Sequence, residues 1–139
     1  MSADSPAQAA VFRELSEREC ADRLRGAGVG RVAVCTPDGP VIIPVNYVMD
    51  GNSVVIRTAP YTLLAGHAWD RVAFEVDELD HDMHRGWSVL VAGQGSPIED
   101  LDDVSDARAV GKLTPWAPGS RQMHIRITPQ RVTGRQVAH

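Results

Sequence analysis

Asp50-Gly51 stands between two runs rich in β-branched residues, Val41 to Met49 and Ser53 to Thr58, and so commits the middle of the chain to a β-hairpin. A two-residue turn that follows the twist of its strands needs positive φ, which Asp and Gly tolerate best. The second strand ends in Arg57-Thr58, and Pro60 follows at once. Proline blocks a further central strand and suits the first turn of a helix, so a short helix is expected over Pro60 to Ala68. The backbone N–H groups of Tyr61 to Leu64 would then face back toward Arg57. A guanidinium, two hydroxyls and a helix N-terminus at one junction make this the candidate anion site. The plain alternative is a solvated arginine at a strand end.

The flanking sequence reads as further short elements. Residues 1–14 are small and polar, a flexible arm. Ser16 and Glu19 have capping-box spacing, which starts a helix at Glu17, with Cys20, Ala21, Leu24 and Ala27 on one face and Gly26 and Gly28 as its stop. Val29 to Thr36 alternates as a strand, and Pro37 to Pro40 turns it back into Val41 to Met49. Arg71 to Asp77 is a strand, DELDHDMHRG a polar loop, and Gly86 to Pro97 a long strand that Gly93 and Gly95 should bulge or bend. Asp100 to Val110 has helical spacing, and Gln122 to Val132 is a last strand before the tail TGRQVAH. Six strands with short helices and no repeated βαβ unit specify a mostly β chain, a six-stranded antiparallel barrel forming one domain over residues 15–139.

Charge and composition remove several functions. The formal charge is -4, and Lys112 is the one lysine beside 13 arginines, with no basic run, so no nucleic-acid partner is expected. No apolar stretch reaches the roughly 18 residues of a membrane helix, and the N-terminus lacks a basic segment followed by an apolar one. No membrane association is expected, and the expected location is cytoplasmic, with Cys20 and Cys35 as reduced, buried small hydrophobes. His81 and His84 lack a third ligand at metal spacing and read as solvated loop residues. Ser88 and Ser96 have no G-x-S-x-G context. Trp69, Trp87 and Trp116 read as core or interface residues.

The series VGRVAV, PVNYVMDG, IRTAPYTLL, VAFEVDELD, GWSVLVAG, PWAPGSR and ITPQRVTGR, in that order and spacing from Leu15 onward, resembles the pyridoxamine 5'-phosphate oxidase-like family of flavin-binding split barrels, in its small actinobacterial form. The resemblance implies a six-stranded antiparallel split β-barrel working as a homodimer, with two flavin sites between the subunits. It assigns ring contacts to Pro44, Val45, Asn46 and Tyr47, the strand-end pair to Arg57 and Thr58, and a phosphate hydroxyl to Thr62. Trp87 and Ser88 would approach the flavin from the partner subunit. Relatives commonly carry Gly and a phosphate-binding Lys or Arg where this chain has Tyr61 and Leu63. Losing one charge-assisted bond costs about 1.5 to 3 kcal/mol, so flavin binding is expected to be weaker than in a typical relative.

The implied function is an FMN-dependent oxidoreductase with a small-molecule substrate. Bound flavin performs hydride chemistry itself, so no catalytic side chain is required, and none stands out. Without a visible second basic cluster, oxidation of pyridoxamine phosphate is not expected. The alternatives are a non-catalytic flavin-binding or storage module and a haem-binding relative using His67 or His124. Of the two flavins, an acidic chain favours FMN over the polyanionic deazaflavin, unless Arg31, Arg121 and Arg126 converge in space.

Overall fold

Alternating apolar runs pair here into one curved sheet. The computed structural model describes residues 11–25, 28–59, 62–100 and 123–138. The elements are β1 (Val11–Glu14), α1 (Glu17–Arg25), β2 (Val29–Thr36), β3 (Gly39–Asp50), β4 (Ser53–Thr58), α2 (Leu63–Gly66), β5 (Arg71–Asp80), β6 (Arg85–Ile98) and β7 (Met123–Ala138). The strands pair antiparallel in the order β1-β7-β4-β3-β2-β5-β6, and β6 pairs again with β7. That last pairing closes six strands into a split barrel, so their backbone groups are satisfied within the ring.

Side-chain alternation builds the core. Val32 and Val34, Tyr47, Val54 and Ile56, Phe74 and Val76, Val89 and Val91, and Ile125 and Ile127 are buried within one cluster. Tyr47 and Phe74 meet edge to face, with ring centroids 4.8 Å apart. The hairpin turn forms as expected, with Gly51 at φ 60°. Asp50 also ties the turn to the opposite strand, since its buried carboxylate pairs with Arg126 of β7 at 2.9 Å. Helix α1 starts at Glu17, where Ser16 Oγ accepts from Glu19 N at 3.1 Å and Glu19 Oε1 accepts from Ser16 N at 3.0 Å. The bulge falls between Ala92 and Gly93. At Gly95 the backbone N–H donates to the Asp70 carbonyl at 2.8 Å, and a Cβ there would collide with the carbonyl of Ala68, so glycine lets the α2 segment lie on β6.

Several expectations need correction. Val11–Glu14, the end of the expected arm, is a strand paired with Glu14 to Arg135 and Val11 to Ala138 in register, outside the ring. The tail after Val132 is the second half of β7, held between β1 and β6. Strand β5 runs three residues beyond Asp77, which shrinks the polar loop to a tight turn. The helix expected over Pro60 to Ala68 is one turn, Leu63–Gly66. Cys35 is exposed, because β2 alternation turns it outward, and Trp69 is exposed as well. The Asp100 to Val110 helix, Tyr61, Trp116 and Arg121 lie outside the described residues, apart from Asp100 itself.

Candidate functional site

At the end of β4, Arg57 pairs in register with His124 of β7, and Thr58 with Met123. Asn46 precedes Tyr47, where the β3–β4 pairing ends, and by alternation shares the outer face with Arg57 and exposed Pro44. The expected strand-end contacts therefore come together. Val45 and Tyr47 point inward: both are buried, and the Tyr47 hydroxyl donates to the Leu24 carbonyl. Their side chains belong to the core, leaving only backbone for a ligand.

The hydroxyls form a local network. Thr58 Oγ1 and Thr62 Oγ1 lie 2.6 Å apart. Thr62 caps α2 by accepting from Ala65 N at 3.2 Å and donates to the Ala59 carbonyl at 2.9 Å. With its one proton spent, Thr62 must accept from Thr58. The Thr58 proton must therefore turn away from Thr62 before it can serve an anion. The N–H groups of Leu63 and Leu64, in the first turn of α2, have no partner within the helix. Leu63 is 46% exposed, so the position where relatives carry a cation opens to solvent instead of filling a cavity.

His124 reports the electrostatics. Burial, and second the Arg57 charge beside it, lower its pKa below the ordinary imidazole value. Both effects favour a neutral imidazole at the strand end. His67 is held differently: its Nδ1 lies 2.6 Å from Asp70 Oδ2, at the C-terminal end of α2. Of the arginines named as a possible groove, the two described ones are each engaged by acids. Arg31 pairs with Glu75 at 3.1 Å and Asp77 at 3.3 Å, and Arg126 is held by Asp50.

Trp87 and Ser88 lie at the opposite end of the molecule. In register they face Gln136 and Arg135 of β7, whereas Arg57 and Thr58 face His124 and Met123. From Met123 to Arg135 is twelve residues, up to about 40 Å of strand. Both groups can reach one mononucleotide only if two chains supply them. Around Trp87 lies a cleft of about 500 Å³ lined by Phe12, Leu79, His81, His84, Arg85 and Arg135, among others. A neighbouring cleft of about 700 Å³ shares Arg85 and Trp87 and adds Arg23, whose guanidinium sits 5.4 Å from the Trp87 ring centroid. Sequence reasoning missed this cluster, because its residues come from four separate elements and one turn. The only local signal was the HDMHR segment, which read as solvated loop. Among the described residues no three His, Cys, Asp or Glu side chains are grouped to hold a metal ion. No described helix is long and apolar enough to cross a membrane.

Comparison with known proteins agrees with this architecture. A protein of Mycobacterium tuberculosis, itself uncharacterized, is 32% identical over 94% of this chain and 88% of its own length. The solved FAD binding protein from Mycobacterium smegmatis is 34% identical, with a TM-score of 0.76 over 89% of this chain and 98% of that one. An FAD-binding protein from Mesorhizobium loti, at 24% identity, shares the fold with a TM-score of 0.76 over 94% of this chain and 100% of that one. The family model for pyridoxamine 5'-phosphate oxidase matches residues 16–136. The chain belongs to the pyridoxamine 5'-phosphate oxidase family of flavin-binding split barrels.

Proposed function

We propose that the chain is a homodimeric flavoprotein, a cytoplasmic oxidoreductase acting on a small molecule, with the FMN moiety of its flavin held between the two subunits. The observation that carries this reading is Arg57 set against a half-buried, neutral-favouring His124, beside Asn46, Thr58 and the first turn of α2. This arrangement fits a phosphate: it offers a fixed cation, the Thr58 hydroxyl once turned from Thr62, two first-turn N–H groups and an open approach at Leu63. Arg57 and Thr58 hold the phosphate, with Thr62 positioning Thr58 and capping α2, Pro44, Val45 and Asn46 line the ring, largely through backbone, and the partner's Trp87 and Ser88 close over it. Bound there, the flavin supplies hydride transfer; the protein orients it and excludes water. The family resemblance and the FAD binding named for the M. smegmatis relative support a flavin. FMN is the part common to FMN and FAD.

The dimer rests on two further observations. The strand-end residues and Trp87 lie too far apart to meet one mononucleotide from one chain. The outer face also leaves Ile42 and Leu90 exposed around a shallow cleft of about 290 Å³, where a second subunit would bury them. Isothermal titration with FMN, FAD and deazaflavin tests the reading, together with NMR titration of His124. Binding should raise the His124 pKa, because a phosphate dianion offsets the field of Arg57. An unshifted His124 at saturating flavin contradicts this placement. Sedimentation showing a stable monomer at micromolar concentration contradicts the shared site.

A further inference from the structure

Trp87 belongs to one cross-strand row. In register, Arg13 of β1 faces Gln136 of β7, Gln136 faces Trp87 of β6, and Trp87 faces exposed Glu78 of β5. Strand alternation puts this row on the same side of the sheet as Gly134, Val89 and Val91, the side against which α1 packs. The indole is half-buried against the core. Gln136 joins the polar members of the row to the helix. Its side-chain oxygen accepts from Arg13 Nη2 at 3.0 Å and, at the long limit of a hydrogen bond, from Arg23 Nη2 at 3.5 Å. An amide oxygen has two lone pairs, and both are engaged. Arg13 is itself fixed, because its two terminal nitrogens donate to the two carboxylate oxygens of Glu19 at 2.9 Å each. Arg23 then sets its guanidinium 5.4 Å from the Trp87 ring centroid, within the roughly 6 Å reach of a cation–π contact.

The helix that carries Arg23 has little freedom. Its first turn is closed by Ser16 and Glu19, and Cys20 and Leu24 on its inner face are buried. Cys20 stands where a Cβ at Gly134 would have to go, and the Leu24 carbonyl accepts from the Tyr47 hydroxyl of β3. Arg23 also lies in the last turn, where the helix dipole favours a cation. A planar guanidinium held by a fixed acceptor is ordered in advance, and it orders the ring beneath it. A half-buried indole otherwise keeps rotamer freedom that it must give up on binding, at a cost in affinity. We infer that Arg23 and Gln136 are positioning residues for Trp87: they hold its indole in one orientation before it meets a flavin, with Arg13 and Glu19 as their support. The inference rests on the flavin reading above, in which Trp87 closes over the flavin held by the other subunit.

Three variants separate the contacts: Arg23→Met keeps the aliphatic stem and removes the cation, Gln136→Met removes the shared acceptor, and Arg23→Lys keeps a cation over the ring. NMR of the full-length protein without flavin reads the indole directly, its Nε1–H signal being the one lost in Trp87→Ala. Both methionine variants should shift that signal and lower its heteronuclear NOE, whereas Arg23→Lys should stay close to the wild type. In titrations with FMN and FAD, each methionine variant should bind about fivefold more weakly while its circular dichroism stays that of the wild type. In a Trp87→Ala background the same substitutions should cost nothing further, because they act through the indole. An indole signal unchanged in both methionine variants overturns the inference. A loss of flavin affinity that persists in the Trp87→Ala background also overturns it, since Arg23 and Gln136 would then act on the flavin or the fold directly. So does unchanged flavin affinity in variants whose indole has loosened, where Trp87→Ala itself weakens binding. If the indole loosens as expected but the wild type binds no flavin, or Trp87→Ala binds it normally, the positioning of the indole stands and the flavin reading alone fails.

Discussion

The two ends of β7 carry cations of opposite character. Near Met123 the charges are engaged or held in place: Arg126 is locked to buried Asp50, Arg57 is set against His124, and the threonine hydroxyls satisfy one another. Near Arg135 the guanidiniums of Arg85 and Arg135 face an open cleft with no protein partner among the described residues. A built-in network fixes geometry and gives up little on binding, whereas unpaired cations must find their counterion in solvent or in a ligand. The first end is therefore suited to a resident group and the second to an exchanging one.

Breaking the built end should produce the largest effect. Asp50→Ala breaks the ion pair between its buried carboxylate and part-buried Arg126, and a loss of about 3 kcal/mol of stability is expected in chemical denaturation. Arg57→Ala removes the fixed cation from the proposed phosphate position. Flavin affinity should drop tenfold to a hundredfold, about 1.5 to 3 kcal/mol, with the melting temperature little changed. Leu63→Lys works in the opposite sense: because Leu63 is exposed, a lysine there is solvated, and it should tighten FMN by about tenfold, about 1.4 kcal/mol, without lowering the melting temperature. A lowered melting temperature with no gain in affinity would remove this position from the phosphate site.

At the other end of β7, Ser16→Ala disrupts the capping box of the helix that packs on Gly134, and about 1 kcal/mol should be lost. The pH dependence is the smallest effect. His124 has a folded pKa below its unfolded value of about 6.5, so the unfolded chain binds protons more readily. Stability is then greatest above that value and declines as pH falls toward the folded pKa. His124→Gln should flatten the change in melting temperature between pH 7.5 and 5.5. Glu19, held down to about 2 chiefly by its hydrogen bond from Arg13, acts at lower pH: its contribution is present above the usual glutamate range and is lost as pH falls toward 2.

Local chemistry made much of the fold legible. The Asp50-Gly51 turn, the Ser16/Glu19 capping box and the Gly93 bulge are decided by residues within a few positions, and each stands where the sequence indicates. The misjudged segments are those whose structure depends on distant partners. TGRQVA carries turn-forming residues, yet β1 and β6 flank it and hold it extended to Ala138. The strand end around Arg57 was legible because Asn46, Arg57, Thr58 and Thr62 sit on one hairpin and its exit. The cleft was not, because Phe12, Arg85 and Arg135 are brought together only by the β1–β7–β6 pairings. Tyr47 shows the limit of transferring roles along a motif: alternation turns its ring into the core, whatever its backbone contacts.

A flavin site assembled from two chains, as proposed, is tested most directly by a mixed dimer. Arg57→Ala and Trp87→Ala homodimers should each bind flavin poorly, since each lacks one half of both sites. Refolding the two variants together gives hybrids in which one site carries both lesions and the other carries neither. Fluorescence titration of the isolated hybrid should then recover one flavin per dimer at wild-type affinity. A hybrid that binds no better than either parent would contradict the shared site.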